Sequence, residues 1–357
     1  MKTTATEALS RLDERLARSP VRDGWIERSH FHDACAALWL EGELVHLEDL
    51  VLHDARMDVR TPTHELTRAH AVLRARHLIL SRASDWPLSR DGLSQLTGRG
   101  GAPADTPAGR EGEGIFAEEE GADAWDEPAD DRLAEEFAEI DAVLARSSKV
   151  ISGAEIAPGK PRPLDGRPDL IYDPDWNEEE RLAEWQAALG KTRDLPPVLR
   201  AAVLLDAWQE IEVLQRGAWI GPLLVAALLR QDGIAAHYLA ALHLGAQRIR
   251  RERRRARDRG DRLLAFLDGI QEAARLGLKE HDRLMLAKDQ MERRLRKRRA
   301  SSKLPHLVEL VLSRPLVSTG IIQDRLKVSK QGALNLVGEL NLREMTGRGR
   351  FRAWGLI

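Results

Sequence analysis

Near the C-terminus, Ser329, Lys330, Gln331 and Asn335 stand close together in VSKQGALNLVGEL, and Arg348, Arg350 and Arg352 follow in TGRGRFRAW. An amide side chain can make a two-pronged hydrogen bond to a base edge, while ammonium and guanidinium groups hold phosphate. These residue types at this spacing suit nucleic-acid binding. A second stretch, QRGAWIGPLLVAALLRQDG at residues 215–233, sets Gly217 and Gly221 ahead of a long apolar run. Glycines before a helix can cradle a phosphate on the first backbone N–H groups. The same spacing suits a helix entering a core. A P-loop would need Gly-Lys-Ser/Thr after its glycines, and this stretch has none. His46/His53 and His70/His77 are each seven apart, so each pair shares a helix face. Zinc favours an i, i+4 pair with a third ligand, so neither a metal nor a cofactor is expected. The single cysteine, Cys35, excludes an internal disulfide and reads as a small core residue.

The elements around the first group are legible. Leu307, Val308, Val311 and Leu312 make one helical face. Ser318 or Thr319 caps a short helix carrying Ile322 and Leu326. Lys327-Val328-Ser329 is a tight turn, and Ser329 caps a further helix. There Ala333, Val337 and Leu340 face inward, leaving Lys330, Gln331, Leu334 and Asn335 outward near the start. REMTGRGRFRAW alternates around Thr-Gly-Arg-Gly, which predicts a β-hairpin wing. This segment, 301–357, resembles the winged helix-turn-helix modules of bacterial regulators. The resemblance implies double-stranded DNA as partner, with Gln331 and Asn335 at base edges and Lys330 and the wing arginines on phosphates.

The rest of the 357 residues is too long for one ordinary core. Ala, Leu, Arg and Glu dominate and favour helix, so the fold class is mainly α with a small β-wing. We expect a helical segment over 1–96, an acidic disordered linker over 97–131, and a helical core over 132–300. ALWLEGELVHLEDLVL reads as one helical face (Ala37, Leu40, Leu44, Leu47, Leu50, Val51), interrupted at Glu41-Gly42. Pro62 stops a helix and Thr63 caps the next. Further helices are expected over 132–147, from Asn177, from the double proline at 196–197, and over 218–231, 234–256, 261–276 and 279–299. The net charge of −2 hides an asymmetry: residues 246–357 hold about 28 Lys/Arg against about 13 Asp/Glu. A basic C-terminal third suits a polyanion. The charged N-terminus reads as no signal peptide, and the longest apolar run is shorter than the ~20 residues of a membrane span. No membrane partner and a cytoplasmic location are therefore expected.

The middle of the chain resembles Fic-domain proteins. LPPVLRAAVLLDAWQEIEVLQRGAWIGPLLVAALLRQDGI is similar to that family's LPPL-x-RAA, HPFxDGNGRxGRLL and following apolar helix. ALWLEGELVHLEDLVL is similar to its Glu-Gly helix segment, and DLIYDPDWNEEERLAEWQ to its stretch between flap and core. Proteins of a rhizobial-type group share the architecture of such a middle followed by a helix-turn-helix. The resemblance places Ile211 where the family has its catalytic histidine and Gln215 where it has the metal-holding carboxylate. Arg216, Gly217, Ala218 and Trp219 stand at the anion-cradling Gly-Asn-Gly-Arg, and Pro222 at the last arginine. Gly221 alone remains. Base, metal site and phosphate clamp are all replaced, so the resemblance implies an inactive Fic-like domain, with Glu41 left as a capping or structural residue. The resulting expectation is a transcriptional regulator, homodimeric through the helical domain or binding a partner there. Two rivals stay open. One is a divergent nucleotidyl-transferase with relocated residues such as His237 and His243. The other is the silent partner of an active Fic enzyme in a toxin–antitoxin pair.

Overall fold

The computed structural model describes residues 2–56, 61–98, 176–295, 303–345 and 352–356. The expected linker, apart from residues 97 and 98, and the helix over 132–147 lie outside these. Residues 1–102 and 173–357 form one unit.

Five helices open the chain: α1 (Lys2–Ala17), α2 (Arg22–Leu40), α3 (Leu47–Asp54), α4 (His64–Ser81) and α5 (Arg90–Leu96). Thr63 caps α4 by accepting from the Leu66 N–H. The interruption expected at Glu41-Gly42 separates two helices, α2 and α3. Gly42 turns the chain at φ +92°, and Leu44, expected on the apolar helical face, is 70% exposed. Two acidic residues leave the turn facing Arg68 of α4, which pairs with both Glu41 and Glu43.

The second group is α6 (Glu178–Lys191), α7 (Pro197–Ile211), α8 (Ile220–Gln231), α9 (Leu242–Gln247), α10 (Arg251–Arg254) and α11 (Arg259–Leu295). Asn177 caps α6, accepting from the Glu180 N–H at 3.1 Å, and Pro197 begins α7 where a missing N–H costs nothing. Helix α8 is buried along almost its whole length, as its uniformly apolar sequence requires. The helix expected over 234–256 does not form. Residues 234–241 are turns and irregular chain that bury Ala235, Tyr238 and Leu239, and only two short helices follow. The helices expected over 261–276 and 279–299 are one, α11, of 37 residues and so about 55 Å long. Gly277 does not break it; its missing side chain admits a neighbour. A Cβ there would lie 2.6 Å from Leu12 of α1 and 2.9 Å from Trp25 of α2, and the Trp25 indole donates to the Gly277 carbonyl at 2.9 Å.

The C-terminal segment runs α12 (Leu304–Ser313), β1 (Leu316–Ser318), α13 (Thr319–Leu326), α14 (Lys330–Leu340), β2 (Arg343–Glu344), β3 (Ala353–Gly355). Of the two candidate caps, Ser318 serves, accepting from the Ile321 N–H. Lys327 makes the turn at φ +51°, and Val328 packs against the core. β3 pairs antiparallel with β2, as a wing requires. It also pairs with β1, an unforeseen third strand, in register Val317↔Trp354. Among the described residues no helix is long and apolar enough to cross a membrane.

Candidate nucleic-acid interface

Helix α14 is built to leave one face unused by the core. Ala333, Val337 and Leu340 are buried at helical spacing against α12 and α13. Ser329 closes the start, its hydroxyl accepting from the Gly332 N–H at 3.1 Å. Lys330, Gln331 and Asn335 are exposed on the first turns, and the Gln331 amide donates to Asn335 at 3.0 Å. Leu334, expected outward, instead packs against the core as a half-buried residue. Arg348 and Arg350 lie outside the described residues. Arg352 stands at the base of the wing, not its tip: it donates twice to Glu344, at 2.9 and 2.7 Å, and lies 5.4 Å from the Trp354 ring centre. To reach a phosphate it must leave Glu344.

Three arginines that the sequence did not single out hold this module against the helical domain. Arg28 of α2 is buried and donates to the carbonyls of Val311 (2.7 Å) and Arg314 (2.6 Å), closing the C-terminal end of α12. Burial pulls its guanidinium down to about 10. Beside it, Gly24 touches α12 backbone to backbone; a Cβ would lie 2.0 Å from the Leu312 carbonyl oxygen. Arg294 donates to Leu340 at the end of α14, and Arg283 to Leu356 just beyond β3. The spacing of Gly24, Arg28 and Phe31 around an apolar helix face was the available signal.

Much of the basic sequence before the module is spent on the fold. Arg259 and Arg262 both pair with buried Asp206 of α7, at 2.9 and 2.8 Å, and Arg253 pairs with Asp268. Arg293 pairs with Asp289. Residues 296–302 lie outside the described residues.

The glycine-containing loop between α7 and α8 is filled. Gly221 lies against Trp208, whose ring would be 2.4 Å from a Cβ, and the Trp208 indole donates to Ala218 at 3.1 Å. Gly217 takes φ +93°. Ile211 ends α7, its carbonyl accepting from Arg181. The Gln215 N–H donates to Glu178, while the buried Gln215 side-chain oxygen has no partner. Arg216 is exposed. The cleft beside Ile211 is lined by Glu180, Glu184 and Glu210 with Arg181, a negative surface that repels a phosphate.

The histidines are also engaged. His237 pairs with Asp13 at 2.9 Å, half exposed. His243 is buried, one ring nitrogen 2.9 Å from Asp33 and the other 3.1 Å from the Trp219 carbonyl. Asp33 also accepts from Arg76 and from the Leu244 N–H; Arg76 donates to His30 and Leu239. Burial pushes the Asp33 carboxyl up, but Arg76, His243 and that N–H outweigh it and hold it below its ordinary value. His70 and His77 share a face of α4, and each meets a histidine of another helix, His53 with His70 and His30 with His77, with ring centres 4.8 Å apart in both pairs. Among the described residues no group of three His, Cys, Asp or Glu is placed to hold a metal. Burial pushes the Cys35 thiol up to about 12, so it is no nucleophile at neutral pH.

Fold and surface thus define a class: a helical domain carrying a C-terminal helix-turn-helix DNA-binding domain. The family described as "HTH DNA binding domain" matches residues 304–357, and "Protein of unknown function (DUF1612)" matches residues 170–296. The chain is 53% identical over 359 residues to "Uncharacterized protein y4cF" of Sinorhizobium fredii (strain NBRC 101917 / NGR234), covering 98% of this chain and 94% of that one. This chain belongs to the same family as that protein, with a DUF1612 domain ahead of its helix-turn-helix.

Proposed function

We propose that this protein is a transcriptional regulator that reads double-stranded DNA as a homodimer, with α14 in the major groove. The observation that carries this is the start of α14. Its three polar side chains are exposed and hold no part of the core, while Ser329 and the buried face fix their position. Gln331 and Asn335 exchange their mutual hydrogen bond for base edges, and Lys330 holds a phosphate. The helical domain acts as a catalytically inactive Fic-like scaffold for dimerisation or for a partner or ligand. Supporting this are the isoleucine at position 211, the indole beneath Gly221, the glutamates lining the neighbouring cleft and the engagement of both His243 nitrogens.

The test is selection of bound sequences from random duplex DNA, repeated with Lys330, Gln331 and Asn335 changed to Ala and with Arg348, Arg350 and Arg352 changed to Ala. A recovered palindromic motif, lost in the first variant and weakened in the second, supports the reading. Absence of enrichment at low salt, where phosphate contacts are strongest, overturns it.

A further inference from the structure

Among the described residues, a cavity of about 210 Å³ lies between α1, α2, α11 and the chain around Tyr238. Protein interiors hold few voids larger than a water, and about 150 Å³ of apolar cavity suffices for benzene. The floor is apolar and aromatic: Leu9, Leu12 and Ala274 with Trp25 set edge-on to Tyr238 at 5.4 Å. Ser29 and His32 of α2 also line it, and neither side chain has a hydrogen-bond partner among the described residues. Burial holds the His32 imidazole below its ordinary pKa, with Glu280 opposing and Arg28 and Arg283 adding. The ring is therefore neutral, with a donor and an acceptor to offer.

The mouth is cationic. Arg248 and Lys279 are exposed lining residues with no side-chain partner among the described residues, and Arg283 is paired to Glu280. We propose that this cavity binds a small amphipathic acid, an aromatic body with one carboxylate, and that its occupancy alters the seat of the winged helix. The body lies on Trp25 and Tyr238; the carboxylate meets Arg248 and Lys279. The coupling follows from the residues shared. Trp25, Ser29 and His32 lie on one face of α2 with Arg28, which holds α12. Arg283 both lines the cavity and donates to Leu356 behind β3. Binding itself stands without the DNA-reading proposal; only the regulatory half rests on it.

The probe is 2-naphthoate, titrated into the full chain without DNA and followed by calorimetry and tryptophan fluorescence. Saturable binding is expected, weaker by about tenfold for neutral 2-naphthamide and for the charge reversal R248E/K279E, because each loses a charge-assisted contact. Ser29→Leu, which fills the cavity, is expected to abolish it. If Ser29→Leu fails to fold, the exposed reversal still decides. No saturation at millimolar probe, or wild-type affinity in the reversal, overturns the site. In a second arm, affinity for the selected DNA is measured with and without probe. A change of about fivefold or more supports the coupling. Unchanged affinity overturns regulation and leaves the site. No DNA binding at all, with naphthoate still bound, overturns the DNA reading alone.

Discussion

Two helix starts in this molecule look alike in sequence and differ in use. Helix α8 begins behind Gly217 with Gly221 in its first turn, helix α14 behind Ser329 with Gly332 in its first turn. At α8 the glycine admits the Trp208 indole, and His243 takes the carbonyl of Trp219. At α14 the serine caps the turn and three polar side chains stay in water. The same contrast runs through the larger regions. In the helical domain arginine, aspartate and histidine are consumed in holding helices together; on α14 Lys330, Gln331 and Asn335 hold no part of the core. A glycine ahead of a helix therefore says little until what fills the space is known.

The largest effect expected is at the centre of the consumed set. Arg76→Ala leaves Asp33 buried beside His243 without its guanidinium. Removing one partner of a buried pair costs about 3–5 kcal/mol, read as a shift of the urea unfolding midpoint. A loss under about 1 kcal/mol would place this network among exposed pairs and remove the contrast.

Acid acts next, on the same region. Burial, with Arg76 and His77, holds the His30 imidazole well below 6.5, and burial lowers that of His32. Both are neutral in the fold, so below pH 6.5 the unfolded chain binds more protons and stability falls with pH. The contribution is complete above 6.5 and is lost progressively as pH falls toward the folded values. Each histidine accounts for at most about 1.4 kcal/mol by pH 5.5. Unfolding followed at pH 7.5, 6.5 and 5.5 should show the decline, with a shallower slope in His30→Gln.

The two glycines give a direct pair. Gly221→Ala would set a methyl 2.4 Å from the Trp208 ring, whereas Gly332→Ala meets the Ser329 hydroxyl at 3.3 Å and the Val328 Cβ at 3.5 Å. Overpacking at the first costs about 1–3 kcal/mol. The second stays within about 1 kcal/mol. Thermal midpoints of the two variants check this, and equal losses would break the comparison.

What the sequence revealed follows the same division. The winged module was legible almost residue by residue, because capping, turn chemistry and the inward triad Ala333, Val337 and Leu340 are local signals. Its third strand was not, since β1 is defined only by pairing with β3 some 35 residues later. The join of two expected helices into α11 was hidden because Gly277 reads as a break; only the approach of Leu12 and Trp25, far away in sequence, explains it. The loop before α8 showed what it lacks but not what fills it. Arg283 and Arg294 were unreadable for a related reason: an arginine that caps a carbonyl across the fold looks in sequence like any solvated charge, and only Arg28, set between Gly24 and Phe31 on an apolar helix face, left a signal.

The smallest effects on stability, and the most informative about function, belong to α14. Lys330→Ala and Gln331→Ala change exposed side chains and should leave the unfolding midpoint within about 0.5 kcal/mol. Their effects on DNA should differ in kind. Without Lys330, binding weakens on all sequences alike and the salt slope drops by about 1. Without Gln331, affinity for the selected site falls by about 1–3 kcal/mol while binding to unrelated duplex is unchanged. Ser329→Ala lies between the two regions, since its hydroxyl holds the helix start rather than the ligand; it should cost about 1 kcal/mol of stability. If Gln331→Ala weakened specific and nonspecific duplex equally, α14 would lie along the backbone rather than in the groove. The contrast would then be between a filled helix start and an open one that reads charge alone.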